Sequence, residues 1–160
     1  LLASQADWLC LRTSWVYASR GKNFLRTVLR LAQEREEMRI VADQFGAPTP
    51  ARLIAETTAH IVRQSLQARR EGRFASGLFH LTSRGATSWH GFASAIHARL
   101  STSAQAPKLK SLVPITTAEY PLPAARPRNS RLDCSALEHR FDLRLPEWET
   151  GVELCMAELE

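Results

Sequence analysis

"LRTSWVYASRGKNF", Leu11 to Phe24, sets the architecture of this chain. From Trp8 to Trp15 the residues are mostly Leu, Cys and Trp, and the run reads as a buried strand. A loop with Gly21 and Asn23 follows, and Asn23 is read as a helix N-cap. From Phe24 the helix places Leu25, Val28, Leu29 and Ala32 on one face, with Arg26, Arg30 and Arg35 outside. A strand apolar enough to be covered on both sides belongs in a parallel sheet.

Outward from there, strands and helices alternate. Arg39 to Ala42 is a short strand leading into "DQFGAPTP", Asp43 to Pro50, whose glycine and prolines make it a loop. Thr49 reads as the cap of the next helix, with Pro50 at its first position. That helix runs to about Arg69 on a stripe of Leu53, Ile54, Thr57, Ile61 and Val62. Gly77 to Ser83 is a third strand. Thr87 or Ser88 caps a helix whose inner face is Trp89, Phe92, Ala93, Ile96 and Leu100. Ser101 to Lys108 is a polar connector, and Leu112 to Ile115 a short strand. "AEYPLPAARPRNSRLD", Ala118 to Asp133, is held extended by its prolines. Ser135 to Phe141 is a short helix, and "LPEW" opens a terminal helix with Trp148, Val152, Cys155, Met156 and Leu159 inward.

The pattern is β-α-β-α-β-α, an α/β class. The strands are few, and the first wants sheet neighbours that the chain does not visibly supply. With Leu1 rather than Met at the start, the expectation is a fragment lacking an N-terminal half. At 160 residues, 44% hydrophobic and 23% charged, the composition is that of one soluble globular domain. No apolar run reaches the length of a membrane span, and no secretory signal pattern occurs.

The net charge of +5 permits a nucleic-acid partner, but the basic residues are scattered. Only Arg69, Arg70 and Arg73, and Arg126, Arg128 and Arg131, are grouped, without interleaved aromatics. The expectation is therefore no nucleic-acid partner, and one anion site. Cys10, Cys134 and Cys155 have no metal or disulfide spacing and read as reduced thiols. The histidines at 60, 80, 90, 97 and 139 lack ligand spacing, so no metal site is expected.

No glycine-rich dinucleotide turn, P-loop or nucleophile elbow occurs. Two segments exceed what packing requires. In Asp43-Gln44-Phe45-Gly46, Gln44 offers donor and acceptor, Phe45 a flat face, and Gly46 room for close approach. That set suits a base or a sugar, or else makes a plain turn. In Arg126-Pro127-Arg128-Asn129-Ser130-Arg131, guanidinium groups on a stiffened loop suit a diphosphate, or else make a basic surface loop.

Taken in order, "LRTSWVY" with "GKNF", "VADQFGAPT", "TSWHGFA", and "YPLPAARPRNSRLD" with "LPEW" resemble the dTDP-4-dehydrorhamnose reductase family of extended short-chain dehydrogenases. The resemblance implies the C-terminal part of a Rossmann-type fold: the last strand and helix elements plus a small substrate-binding lobe. It implies a cytoplasmic enzyme using NADPH, with NADH accepted by some members, to reduce the C4 keto group of dTDP-4-dehydro-L-rhamnose. The product, dTDP-L-rhamnose, feeds surface polysaccharides such as O-antigen. The resemblance allows a homodimer in a full-length member.

Carried over by residue, Thr13 and Ser14 match the strand end beside the nicotinamide, and Trp15 the aromatic that contacts the sugar. Gln44, Phe45 and Gly46 match the substrate-side loop; Arg126, Asn129 and Ser130 match the loop near the diphosphate. The family's glycine fingerprint and Tyr-x-x-x-Lys pair are not in this sequence, where Tyr17 is followed four residues later by Gly21 and Tyr120 by Ala124. Ala18 stands where members commonly carry Gly. The chain alone is therefore expected to bind substrate, to leave most cofactor contacts to the missing half, and to have no catalytic residue of its own. A non-catalytic regulatory or binding subunit is the alternative.

Overall fold

The computed structural model describes residues 6–100, 107–121, 123–124 and 126–159. β1 (Leu9–Arg12) and β2 (Val16–Tyr17) are separated by Trp15, whose φ of 51° is left-handed. The expected single strand to Trp15 is thus broken, because a left-handed residue cannot continue an extended ladder. α1 (Phe24–Glu34) follows, then β3 (Glu37–Val41), β4 (Phe45–Gly46), β5 (Thr49–Pro50) and α2 (Ala51–Arg70). β6 (Gly77–His80), β7 (Thr87–Ser88), α3 (Trp89–Leu100), β8 (Ser111–Ile115), a 3₁₀ turn (Thr117–Glu119), α4 (Ser135–Phe141) and α5 (Trp148–Ala157) complete the order.

Four two-stranded ladders organise the described residues. β1 pairs parallel with β6, β2 with β5, and β3 with β8, while β4 and β7 pair antiparallel. β1 is half-buried rather than covered on both faces, and Leu78 of its partner β6 is 43% exposed. Its one described neighbour leaves the other edge without a ladder.

Local signals explain the helix ends. Asn23 caps α1: its side-chain oxygen accepts from the Arg26 N–H at 3.1 Å, and its amide donates to the carbonyls of Ala18 and Arg20. Ser88 caps α3 by accepting from the Gly91 N–H at 3.0 Å. Thr49 does not cap α2. Its hydroxyl donates to the Ala47 carbonyl at 2.9 Å and accepts from the Ser83 N–H at 3.3 Å, so it is spent joining two loops, and Pro50 occupies the cap position. Val62, expected on the buried stripe of α2, is 48% exposed; Thr57 and Ile61 are the buried positions.

Two cores result. One joins α1, β3, α3 and α5 around Leu25, Val28, Ile40, Phe92, Ile96 and Val152. The other lies beneath β1 and β6 around Ile61, Leu81, Leu137, Phe141 and Leu145. Cys155, Met156 and Leu159 pack against the first core, as the terminal-helix pattern required. Among its described residues, the Pro-rich segment carries only the 3₁₀ turn at its start and one bridge, Phe45 to Asn129. The connector over 101–106 lies outside the described residues.

Phe92 is fully buried and touches the rings of Tyr17, Phe24 and Trp148 at 5.0, 5.3 and 6.4 Å. Phe92→Ala is expected to lower unfolding free energy by about 3–5 kcal/mol, measured by urea titration of far-UV circular dichroism.

Candidate functional site

β1 delivers Thr13, Ser14 and Trp15 to its carboxyl end, where ligands of parallel α/β sheets gather. Thr13 is exposed there. The Ser14 hydroxyl donates to the Ser130 carbonyl at 3.3 Å, which ties the strand end to the late loop. The Trp15 carbonyl accepts from the Thr49 N–H at 3.1 Å, holding the left-handed turn in place.

The late loop is stitched to β4 as well. Phe45 N–H donates to the Arg128 carbonyl at 2.8 Å, and Ser130 N–H donates to the Phe45 carbonyl at 2.8 Å. Asn129 turns its side-chain oxygen back onto the Arg131 N–H and guanidinium at 3.1 and 3.0 Å. The three segments singled out from sequence therefore meet in one place. Phe45 is 45% exposed.

Within that place the roles differ from a simple reading. Gln44 is buried, at 5% exposed, with both ends of its amide engaged inside. Its carbonyl accepts from the Trp89 indole N–H at 3.2 Å, and its NH₂ donates to the Thr117 hydroxyl at 3.2 Å. Trp15 is stacked on Trp89, ring centres 3.7 Å apart and planes within 8°. Gly46 presses on Trp15: a Cβ there would sit 2.5 Å from the indole, so only glycine fits. Trp89 also tilts against Phe24 at 4.7 Å. Sequence periodicity placed Trp89 in the core and passed over Thr117. One signal was available: the tripeptide Thr-Ser-Trp occurs at both 13–15 and 87–89, and its two tryptophans are the stacked pair.

A cleft of about 620 Å³ opens beside this pair. Val16, Phe24, Val28 and Leu31 give it an apolar lining, joined by Gln44, Trp89, Thr117, Tyr120 and Arg126, while Trp15, Phe45, Gly46 and Ser130 do not line it. A hollow of about 700 Å³ between α2 and α4 is lined by Arg63, Arg70, Arg73 and Arg140. Arg70 and Arg73 of the first basic group line this hollow, but none of residues 13–15, 43–46 or 126–131 does, whereas Gln44 and Arg126 line the cleft beside the tryptophans. Thr117 donates its N–H and hydroxyl to one oxygen of Asp43 at 2.8 and 2.6 Å. The Thr117 hydroxyl bond, chiefly, with a smaller contribution from the Arg128 charge, holds the Asp43 carboxyl below its ordinary range. Tyr17 is no proton donor to this cleft: its hydroxyl is buried, and burial pushes its pKa well above the ordinary value.

A family model described as RmlD substrate binding domain matches residues 1–160. The chain is 56% identical over 155 residues to dTDP-4-dehydrorhamnose reductase of Burkholderia thailandensis, covering 96% of this chain and 52% of that protein. Its identity to the protein of the same name from Escherichia coli K12 is 43% over 154 residues, covering 96% and 50%. A solved dTDP-4-dehydrorhamnose reductase from Bacillus anthracis, in complex with NADP, matches with a TM-score of 0.82 at 32% identity, over 96% of this chain and 49% of that one. The α/β fold is thus that of the Rossmann-type extended short-chain reductases. The chain spans about half the length of the relatives it matches.

Two outcomes follow from the geometry. Gly46→Ala is expected to displace the Trp15 ring, changing the tryptophan near-UV circular dichroism and costing about 1–3 kcal/mol of stability in a thermal melt. Asp43 has a depressed folded-state pKa, so its contribution is present above the unfolded carboxyl value and is lost as pH falls through the folded one. With Arg128 and Glu119 as its charged neighbours, an acid titration should keep the tryptophan signal intact at pH values where an ordinary aspartate is already half protonated, about 3.9.

Proposed function

The chain belongs to the RmlD substrate binding domain family, and on that premise we propose that it forms the nucleotide-sugar side of a cytoplasmic dTDP-4-dehydrorhamnose reductase. The reaction in view is NADPH-dependent reduction of the C4 keto group of dTDP-4-dehydro-L-rhamnose, toward rhamnose-containing polysaccharide. The observation that carries the reading is the convergence of Ser14, Phe45 and Ser130 through three hydrogen bonds beside an aromatic-walled cleft.

In this reading the cleft's apolar lining takes the nucleoside, with Phe45, exposed outside it and next in sequence to Gln44 of that lining, as a further aromatic surface. Arg126, in the cleft lining, takes the diphosphate, since a guanidinium meets two phosphate oxygens at once. Asn129 and Ser130 hold that loop's backbone against β4. Trp15 offers an indole edge to the sugar, with one face already covered by Trp89. Gln44 and Gly46 shape the pocket from behind, by holding Trp89 and making room for Trp15.

The cofactor would touch this chain only at its strand end. Thr13 has an exposed side chain there, while the Ser14 hydroxyl is already engaged. These residues fit an edge contact to a nicotinamide and not a phosphate cradle, because the sequence has no glycine-rich turn. NADPH, when bound, supplies the hydride. The residues of this chain bind and orient the sugar nucleotide and exclude water from one wall. A catalytic acid paired with a lysine belongs to a further part of the enzyme, and a homodimer is a reading for the full-length protein.

Calorimetry with dTDP-L-rhamnose is expected to show saturable binding to the chain. Arg126→Ala should weaken it roughly ten- to a hundredfold, the range for losing a hydrogen bond to a charged group. NADPH-dependent turnover should be absent from these 160 residues alone. Robust turnover would overturn the assignment of the chemistry to another part, and no binding would overturn the cleft assignment.

A further inference from the structure

Four side chains form a one-way hydrogen-bond line that ends on the indole pair. Trp89 donates to Gln44, Gln44 donates to Thr117, and Thr117 donates to Asp43. An indole N–H is donor only, and an ionised carboxylate is acceptor only. With both ends fixed, the hydroxyl and the amide between them have a single arrangement. A flipped Gln44 amide would set its NH₂ against the Trp89 N–H, and its oxygen against a hydroxyl whose proton is committed to Asp43. The line therefore selects one orientation of Trp89, and Trp89 stacks face to face on Trp15.

We propose that Asp43 and Thr117 are positioning residues for sugar recognition, acting through Gln44 and Trp89 on the placement of Trp15. The proposal rests on the reading of the cleft as a nucleotide-sugar site, and it assigns Asp43 a role without contact to the ligand. The line joins three separate parts of the chain, the β3–β4 loop, the turn after β8 and the start of α3, and through the indole stack it reaches a fourth, the end of β1. Its reach is limited to the sugar end, because Phe45 and Arg126, which serve the nucleoside and diphosphate, take no part in it.

The test compares Thr117→Val, which keeps shape and removes the hydroxyl, with Thr117→Ser, which keeps the hydroxyl. Two readouts are used: near-UV circular dichroism of the tryptophans, and calorimetry with dTDP-L-rhamnose and with dTDP. T117V is expected to weaken dTDP-L-rhamnose binding about three- to tenfold, to change dTDP binding less than about twofold, and to diminish the tryptophan band. T117S should restore both. Equal weakening of both ligands, or an unchanged band, overturns the proposal and leaves Thr117 a structural residue. Should T117V not fold, Asp43→Leu removes the acceptor at similar size and is judged by the same readouts. If the unaltered chain fails to bind dTDP-L-rhamnose, the cleft reading falls. The tryptophan band then still decides whether the line orients the indoles.

Discussion

The face-to-face contact between Trp15 and Trp89 is what the rest of the site is arranged around. It requires Trp15 to adopt a left-handed backbone, at a cost of about 1–2 kcal/mol for a residue with a side chain. An aromatic pair contributes about 0.5–1.5 kcal/mol beyond its buried area, so stacking alone roughly offsets that cost. The remainder comes from backbone and space: the Thr49 N–H on the Trp15 carbonyl, and a glycine at 46 that lets the ring lie against the main chain. The turn at Trp15 also ends β1 and starts β2, so one residue's conformation decides where two ladders run.

Much of the fold was legible because its signals are local. The face of α1, its Asn23 cap, the Ser88 cap of α3 and the short α4 all follow from residues within a turn of one another. The misreadings share a different cause. Thr49 looks like a cap until Ser83, distant in sequence, claims its hydroxyl. The strand through Trp15 looks continuous until an indole more than seventy positions on takes up the ring. Val62 fits the periodicity of its helix, and periodicity does not say where the packed surface stops.

The site shows the same division. Glycine, proline and arginine marked the loops at 43–46 and 126–130 as more than packing, and the folded chain brings them together. Partner choice was not legible. Gln44 has the chemistry to read a ligand, yet spends both amide ends on Trp89 and Thr117. A side chain with donor and acceptor serves a buried wall as well as an open one, and sequence does not distinguish the two.

The ladders that hold this site carry a cost in time. β1 meets β6 through Leu9 and Gly77, and β3 meets β8 through Glu37 and Ser111, so each parallel pair joins strands separated by most of a helix-loop-helix excursion or more. Loop entropy must be surrendered before such contacts give anything back, and chains dominated by them fold slowly. α1 and α2 can form early from their own sequence. The cleft depends on closures of the same kind, since the Ser14–Ser130 bond joins residues 116 positions apart. A ligand that bridged those segments and bound only the folded chain would reinforce the closures that cost the most loop entropy.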